Sequence, residues 1–67
     1  MIKIQLGKRI AALRREKRMT QEDLAEKADY SVEFISFVER GINSPSVEGC
    51  DRMAKAFKIK LRDLFNF

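Results

Sequence analysis

The chain has 67 residues, 36% of them charged, and its 14 Lys and Arg against 10 Asp and Glu give a net charge of +4. A chain this short makes one domain, residues 1–67, near the lower size at which a protein without disulfides or metal buries enough apolar surface to fold, and it leaves no room for a sizeable substrate cavity. With no His, no Trp and a single Cys, a zinc site, a disulfide framework and a Ser-His or Cys-His nucleophile all lack their parts, so no enzyme, metal or cofactor is expected.

The apolar runs are far too short to span a bilayer, and Met1 to Leu6 alternates charge with hydrophobe rather than building a signal-peptide core. The reading is a soluble, reduced, cytoplasmic protein. Charge is unevenly spread. Residues 1–18 carry seven bases against Glu16, a local +6; residues 19–40 carry Lys27 and Arg40 against six acids, a local −4; the remainder adds +2. A polyanionic partner would be attracted mainly by the first segment.

Leu6, Ile10 and Leu13 recur at i, i+4, i+7 among bases, which predicts an amphipathic helix over about 3–17 with a cationic outer face. Thr20 then offers an N-cap hydroxyl, with Asp23 three residues on in the place of a capping-box Glu or Gln, so a second helix starts at Gln21. It buries Leu24, Ala25 and Ala28 and stops near Asp29-Tyr30. Ser31 caps a third helix, in which Ile35 and Val38 share the inner face while Val32, Glu33, Ser36, Phe37 and Arg40 project elsewhere. That helix ends at Gly41, the residue best suited to a left-handed conformation.

Ile42 to Ser46 is a loop, with Pro45 excluded from a helix interior and Ser46 placed to cap a fourth helix. Val47, Cys50, Met53, Ala54 and Phe57 form the apolar stripe of that helix, which makes Cys50 a small buried hydrophobe. Gly49, in its first turn, reads as a small weakness. A short last helix surrounds Leu61, Leu64 and Phe65. The fold class is therefore all-α, five compact helices with a helix-turn-helix made by the second and third, about residues 20–41.

Thr20-Gln21-Glu22-Asp23-Leu24-Ala25, the later Ser31-x-x-x-Ile35-Ser36-x-x-Glu39-Arg40-Gly41 and the Asn43-x-Pro45-Ser46 loop together resemble the Xre, or phage Cro and repressor, helix-turn-helix family, over residues 6–65. The resemblance implies a lambda-repressor-like domain that regulates transcription by binding a near-palindromic operator as a homodimer, either as a repressor or as a restriction-modification controller. By similarity Ser31, Val32, Glu33, Ser36 and Phe37 meet base edges in the major groove, while Gln21, Arg40, Asn43, Ser44 and Ser46 grip phosphates. Lys17 and Arg18 add attraction to the same backbone. Arg14 and Glu39 match an ion pair joining the first helix to the end of the third. Leu61, Phe65 and Phe67 fall where the dimer contact often lies, and Glu22, Asp23 and Glu26 match acids that touch RNA polymerase in activating members. Arg18 and Asp29 stand where the family often has a left-handed Gly.

The chemistry of the groove-facing set is readable from its residues. Glu33 accepts from a cytosine amino group, Ser36 pairs with several edges, and Val32 or Phe37 packs on a thymine methyl. Positions 31–37 hold no Gln, Asn, Arg or Lys, so the usual bidentate purine readers are missing and DNA shape takes a larger share. The acidity of this segment also supports an alternative, an antitoxin-like protein-interaction module on the same scaffold.

Overall fold

The computed structural model describes residues 1–67 as five helices and no strand: α1 (Ile2–Glu16), α2 (Gln21–Ala28), α3 (Val32–Glu39), α4 (Val47–Phe57) and α5 (Leu61–Leu64). Three of the starts are built by side chains on the backbone. The Thr20 hydroxyl accepts from the Asp23 amide at 3.0 Å while the Asp23 carboxylate accepts from the Thr20 amide at 2.9 Å. Ser31 Oγ accepts from the Phe34 amide at 3.1 Å, and Ser46 Oγ from the Gly49 amide at 3.0 Å. Each cap satisfies an N–H that helical geometry leaves without a partner.

Four helices stop by one device, three of them through a residue other than glycine. Arg18, Asp29 and Lys58 all adopt left-handed backbone, with φ of 57°, 60° and 59°. The amide after each turns back to a carbonyl five residues earlier: Met19 to Arg14 at 2.9 Å, Tyr30 to Ala25 at 2.9 Å and Ile59 to Ala54 at 3.0 Å. α3 stops the same way with a glycine: Arg40 is the cap, Gly41 after it is left-handed at φ 77°, and the Ile42 amide returns to the Phe37 carbonyl at 2.9 Å. The expected end of the third helix at a left-handed Gly41 is therefore what the structure shows.

One cluster of buried side chains gathers Leu6, Ile10 and Leu13 of α1, Leu24, Ala25 and Ala28 of α2, Ile35 and Val38 of α3, Cys50, Met53 and Phe57 of α4, and Leu64 of α5. Three residues expected in such stripes are exposed instead, among them Leu61, which opens α5 and is 37% exposed. Val47, the first residue of α4, is 75% exposed, since that helix meets the core only from Gly49 and Cys50 onward; Phe65 comes after the last turn of α5 and is 42% exposed.

Glycine decides two close approaches. A Cβ on Gly7 would collide with the Val38 carbonyl, so α1 lies directly on the last turn of α3. Gly49 is no weakness: a Cβ there would strike the Tyr30 hydroxyl, whose ring lies against the start of α4. Helix propensity alone favours Ala over Gly by about 1 kcal/mol. We expect Gly7→Ala to lower the unfolding free energy instead, by about 1–3 kcal/mol of overpacking, in urea denaturation followed by circular dichroism.

Candidate nucleic-acid interface

The first turn of α2 and the outer face of α3 border an open cleft lined by Gln21, Val32, Glu33, Ser36, Phe37 and Arg40. Because 33, 37 and 40 recur at i, i+4, i+7, these three side chains form a single stripe on α3 and its cap, opposite the buried Ile35 and Val38. The Arg40 guanidinium lies 5.1 Å from the centre of the Phe37 ring, a cation–π distance that steadies both groups. Phe37 does not fold back on its aromatic neighbours. Those stack on each other, with Tyr30 and Phe34 centroids 4.5 Å apart.

The other residues of the expected DNA-contacting set are placed differently. Val32 is half-buried against the core while still lining the cleft. The hydroxyl oxygens of Ser31 and Ser46 are engaged as helix caps, so toward a ligand they chiefly keep a hydrogen to donate. Lys17 and Arg18 stand exposed at the end of α1, just before Thr20, and do not line the cleft. Asn43 and Ser44 are exposed in the loop after α3, and Ser44 borders a different depression.

Beneath the cleft, Arg14, Gln21 and Glu39 form one network. Arg14 Nε and Nη2 donate to the two Glu39 carboxylate oxygens at 2.6 and 3.1 Å, Arg14 Nη1 donates to the Met19 carbonyl at 2.8 Å, and Gln21 Nε2 donates to Glu39 Oε1 at 3.0 Å. Only 13% of the Arg14 side chain and 6% of the Glu39 side chain reach solvent. Gln21 is therefore held from inside, leaving its second amide hydrogen and its carbonyl oxygen free, together with the unpaired backbone amide at the start of α2. That amide and the positive end of the helix dipole suit an anion.

Two cations missed in the sequence serve the fold. Arg52 Nε donates to the Ala28 carbonyl at 2.7 Å, with its guanidinium 5.2 Å from the Tyr30 ring centre, and Arg9 Nη2 donates to the Asp63 carbonyl at 2.9 Å. Neither spacing has a local signature, since the partners lie 24 and 54 residues away. On the outer face of α2, Glu22, Asp23 and Glu26 are exposed. The backbone hydrogen bond from Thr20, then the bond with its side chain, holds the Asp23 carboxyl below the ordinary aspartate value.

A second depression, about 250 Å³ and mostly apolar, lies where the start of α1, the loop before α4 and α5 meet. Leu61 and Phe65 line it, joined by Ile2, Pro45, Val47 and Cys50. Phe67 does not line it, but its ring centre is 6.4 Å from that of Phe65. Ile2 and Val47 are apolar residues in first turns, where helical periodicity gives no sign of their part in this surface. Burial pushes the Cys50 thiol up.

The helix-turn-helix family model matches residues 10–64, which include both motif helices and nearly all of the core. The chain belongs to the Xre-type helix-turn-helix family, a class of transcriptional regulators rather than enzymes. It is 38% identical over 56 residues to the immunity repressor of Bacillus phage phi105, covering 84% of this chain and 39% of that protein. It is also 31% identical over 67 residues to the control protein C.BamHI of Bacillus amyloliquefaciens, covering 98% of this chain and 83% of that one. Among solved structures it resembles the restriction-modification controller protein C.AhdI of Aeromonas hydrophila, with a TM-score of 0.88 at 31% identity, covering 92% of this chain and 94% of that chain. No helix is long and apolar enough to cross a membrane.

The network and the cap can each be tested by substitution. Glu39→Ala strands the Arg14 charge and should cost about 3 kcal/mol of stability, most of it recovered in the double variant Arg14→Met, Glu39→Leu, as read by urea denaturation. Because the folded Asp23 pKa is depressed, its contribution is present above the unfolded value and is lost as pH falls through the folded one. In Thr20→Ala, which removes the hydroxyl but keeps the backbone amide, carboxyl NMR titration should find the Asp23 pKa raised only part of the way toward the ordinary aspartate value.

Proposed function

We propose that this protein is a sequence-specific DNA-binding regulator, a repressor or controller, that acts in the cytoplasm as a homodimer on a near-palindromic operator, with residues 1–67 as one DNA-binding domain. The observation that carries the reading is the free stripe of Glu33, Phe37 and Arg40 beside the open N-terminus of α2 at Gln21. A duplex laid along it meets base-reading groups on one helix and an anion-binding helix end on the other. Relatives named as a phage immunity repressor and a control protein support the same assignment.

In this reading α3 lies in the major groove. Ser31, Val32, Glu33, Ser36 and Phe37 meet the bases, and Gln21, Arg40, Asn43, Ser44 and Ser46 take phosphates, with Lys17 and Arg18 adding unspecific attraction. One such helix covers only a few base pairs, so a second copy, about 34 Å along the duplex, supplies the other half-site. The apolar depression at Leu61 and Phe65, with Phe67 beside it, is the surface on which that copy docks. An exposed apolar area of this kind on so small a chain favours self-association. Glu22 and Glu26 are the acids of α2 free to meet RNA polymerase, Asp23 being held by Thr20. No cofactor or small molecule takes part.

Binding to a selected operator should weaken steeply as salt rises, with the slope of log K against log salt falling by about 0.9 for each phosphate contact removed, as in Arg40→Ala. An interaction module that has lost DNA binding gives no complex at any salt. Leu61→Glu should convert the dimer to monomer in sedimentation equilibrium and weaken binding to the two-half-site operator far more than binding to one half-site.

A further inference from the structure

Glu33 is an unusual residue to aim at a polyanion. A carboxylate approaching a duplex is repelled by phosphates and by every acceptor on the base edges, and it is compensated only where it accepts a hydrogen bond. Two major-groove donors exist, the amino groups of adenine and cytosine. The adenine amino group is flanked on both sides by acceptors, its own N7 and the O4 of the paired thymine. The cytosine amino group has an acceptor on one side only, O6 of the paired guanine; on its other side lies C5 of the same ring. Glu33 therefore selects cytosine, and the side chain beside its carboxylate faces cytosine C5.

The neighbour at i+4 is Phe37, and both side chains line the same cleft. Residues four apart on a helix bring their Cβ atoms to about 5–6 Å, so the two side-chain ends can converge on adjacent atoms of one pyrimidine. The ring is fixed by the Arg40 guanidinium at 5.1 Å and is 37% exposed, leaving apolar surface uncovered. On unmodified cytosine that surface meets a C–H and leaves a gap. Thymine fills the gap with its methyl but turns the O4 acceptor toward the carboxylate. Only 5-methylcytosine offers an amino donor and a methyl group side by side on one base.

From this we infer that Glu33 and Phe37 together form a reader of 5-methylcytosine, so that methylation of the cytosine facing Glu33 strengthens operator binding. The inference rests on the DNA-binding reading above and specifies the base its recognition helix takes. Arg40 acts on it as a positioning residue, since it holds the ring.

The test starts from an operator selected from random unmodified duplexes. The position where Glu33→Gln relaxes the preference for cytosine marks the base that Glu33 reads. Fluorescence anisotropy then compares duplexes carrying cytosine, 5-methylcytosine or thymine at that position, against wild type, Phe37→Ala and Glu33→Gln. With wild type, 5-methylcytosine should bind about fourfold tighter than cytosine, the worth of one buried methyl group, and thymine should bind more weakly than either. Phe37→Ala should abolish the methyl gain while keeping the preference for cytosine over thymine; Glu33→Gln should keep the gain and lose that preference. Equal or weaker binding to the methylated duplex overturns the inference, as does a gain that persists in Phe37→Ala or arises only when the neighbouring pyrimidine is methylated. Absence of binding to every duplex would instead remove the DNA-binding reading itself, which the unmodified selection reports first.

Discussion

The Glu39 carboxylate, almost sealed from solvent, is the point on which three helices agree. It sits in the last turn of α3, where the negative end of the helix dipole disfavours an acid and no basic residue of that turn offsets it. Arg14 of α1 supplies the missing charge in two-pronged geometry, and Gln21 of α2 supplies a third donor. No buried side-chain nitrogen or oxygen is left without a partner, so the burial of this acid is tolerated. The same carboxylate then fixes how the end of α3 stands against the start of α2, which is the relation a helix-turn-helix must hold constant. Gly7 makes this possible from the other side, by letting the α1 backbone come onto the last turn of α3.

The electrostatics of the cleft derive from that arrangement. Of the bases in the first segment, Arg14 is engaged inside the network and Arg9 on the Asp63 carbonyl, so fewer charges face outward than the sequence total suggests. Glu33, by contrast, lies in the first turn of α3, where the positive helix end lowers the cost of its charge. The acidic balance of residues 19–40 is thus misleading as an argument against a polyanion. Glu39 is neutralised internally, Asp23 is turned to its own cap, Glu22, Glu26 and Asp29 do not line the cleft, and Glu33 is the one acid that does.

Local chemistry is legible in the sequence, and long-range chemistry is not. Thr20, Ser31 and Ser46 are readable as caps because each acts on an amide three residues away, and the five helices emerge from apolar spacing between those caps. Arg18 and Asp29 stand out as left-handed positions through the family resemblance; Lys58, which ends α4 in the same way, carries no such sign. The exposure of Val47 escapes periodicity, which says which residues share a face but not where along a helix that face meets its neighbour. The need for Gly49 escapes propensity, which sees only the helix, whereas the Tyr30 ring arrives from nineteen residues away in the chain. At the candidate site, helical geometry alone gives the stripe of Glu33 and Phe37, but the stacking of Arg40 on Phe37 and the hold of Glu39 on Gln21 depend on how the helices pack.

The loop between α3 and α4 joins the two exposed surfaces. At its start, Arg40 steadies Phe37 in the cleft; at its far end, Ser44 and Pro45 border the apolar depression with Val47, Leu61 and Phe65. Only residues 41–43 intervene, and Gly41, in left-handed backbone, packs against Ile4 of α1. A segment this short, anchored at both ends, has little freedom to move one surface without the other. In the proposed dimer, a second chain seated on Leu61 and Phe65 would immobilise Ser44 and Pro45 and with them the candidate phosphate contacts at Asn43 and Ser44. Part of the ordering entropy of DNA binding would then be lost at dimerisation, before the operator is met. Association and recognition would be linked through backbone, with no need for a further domain to connect them.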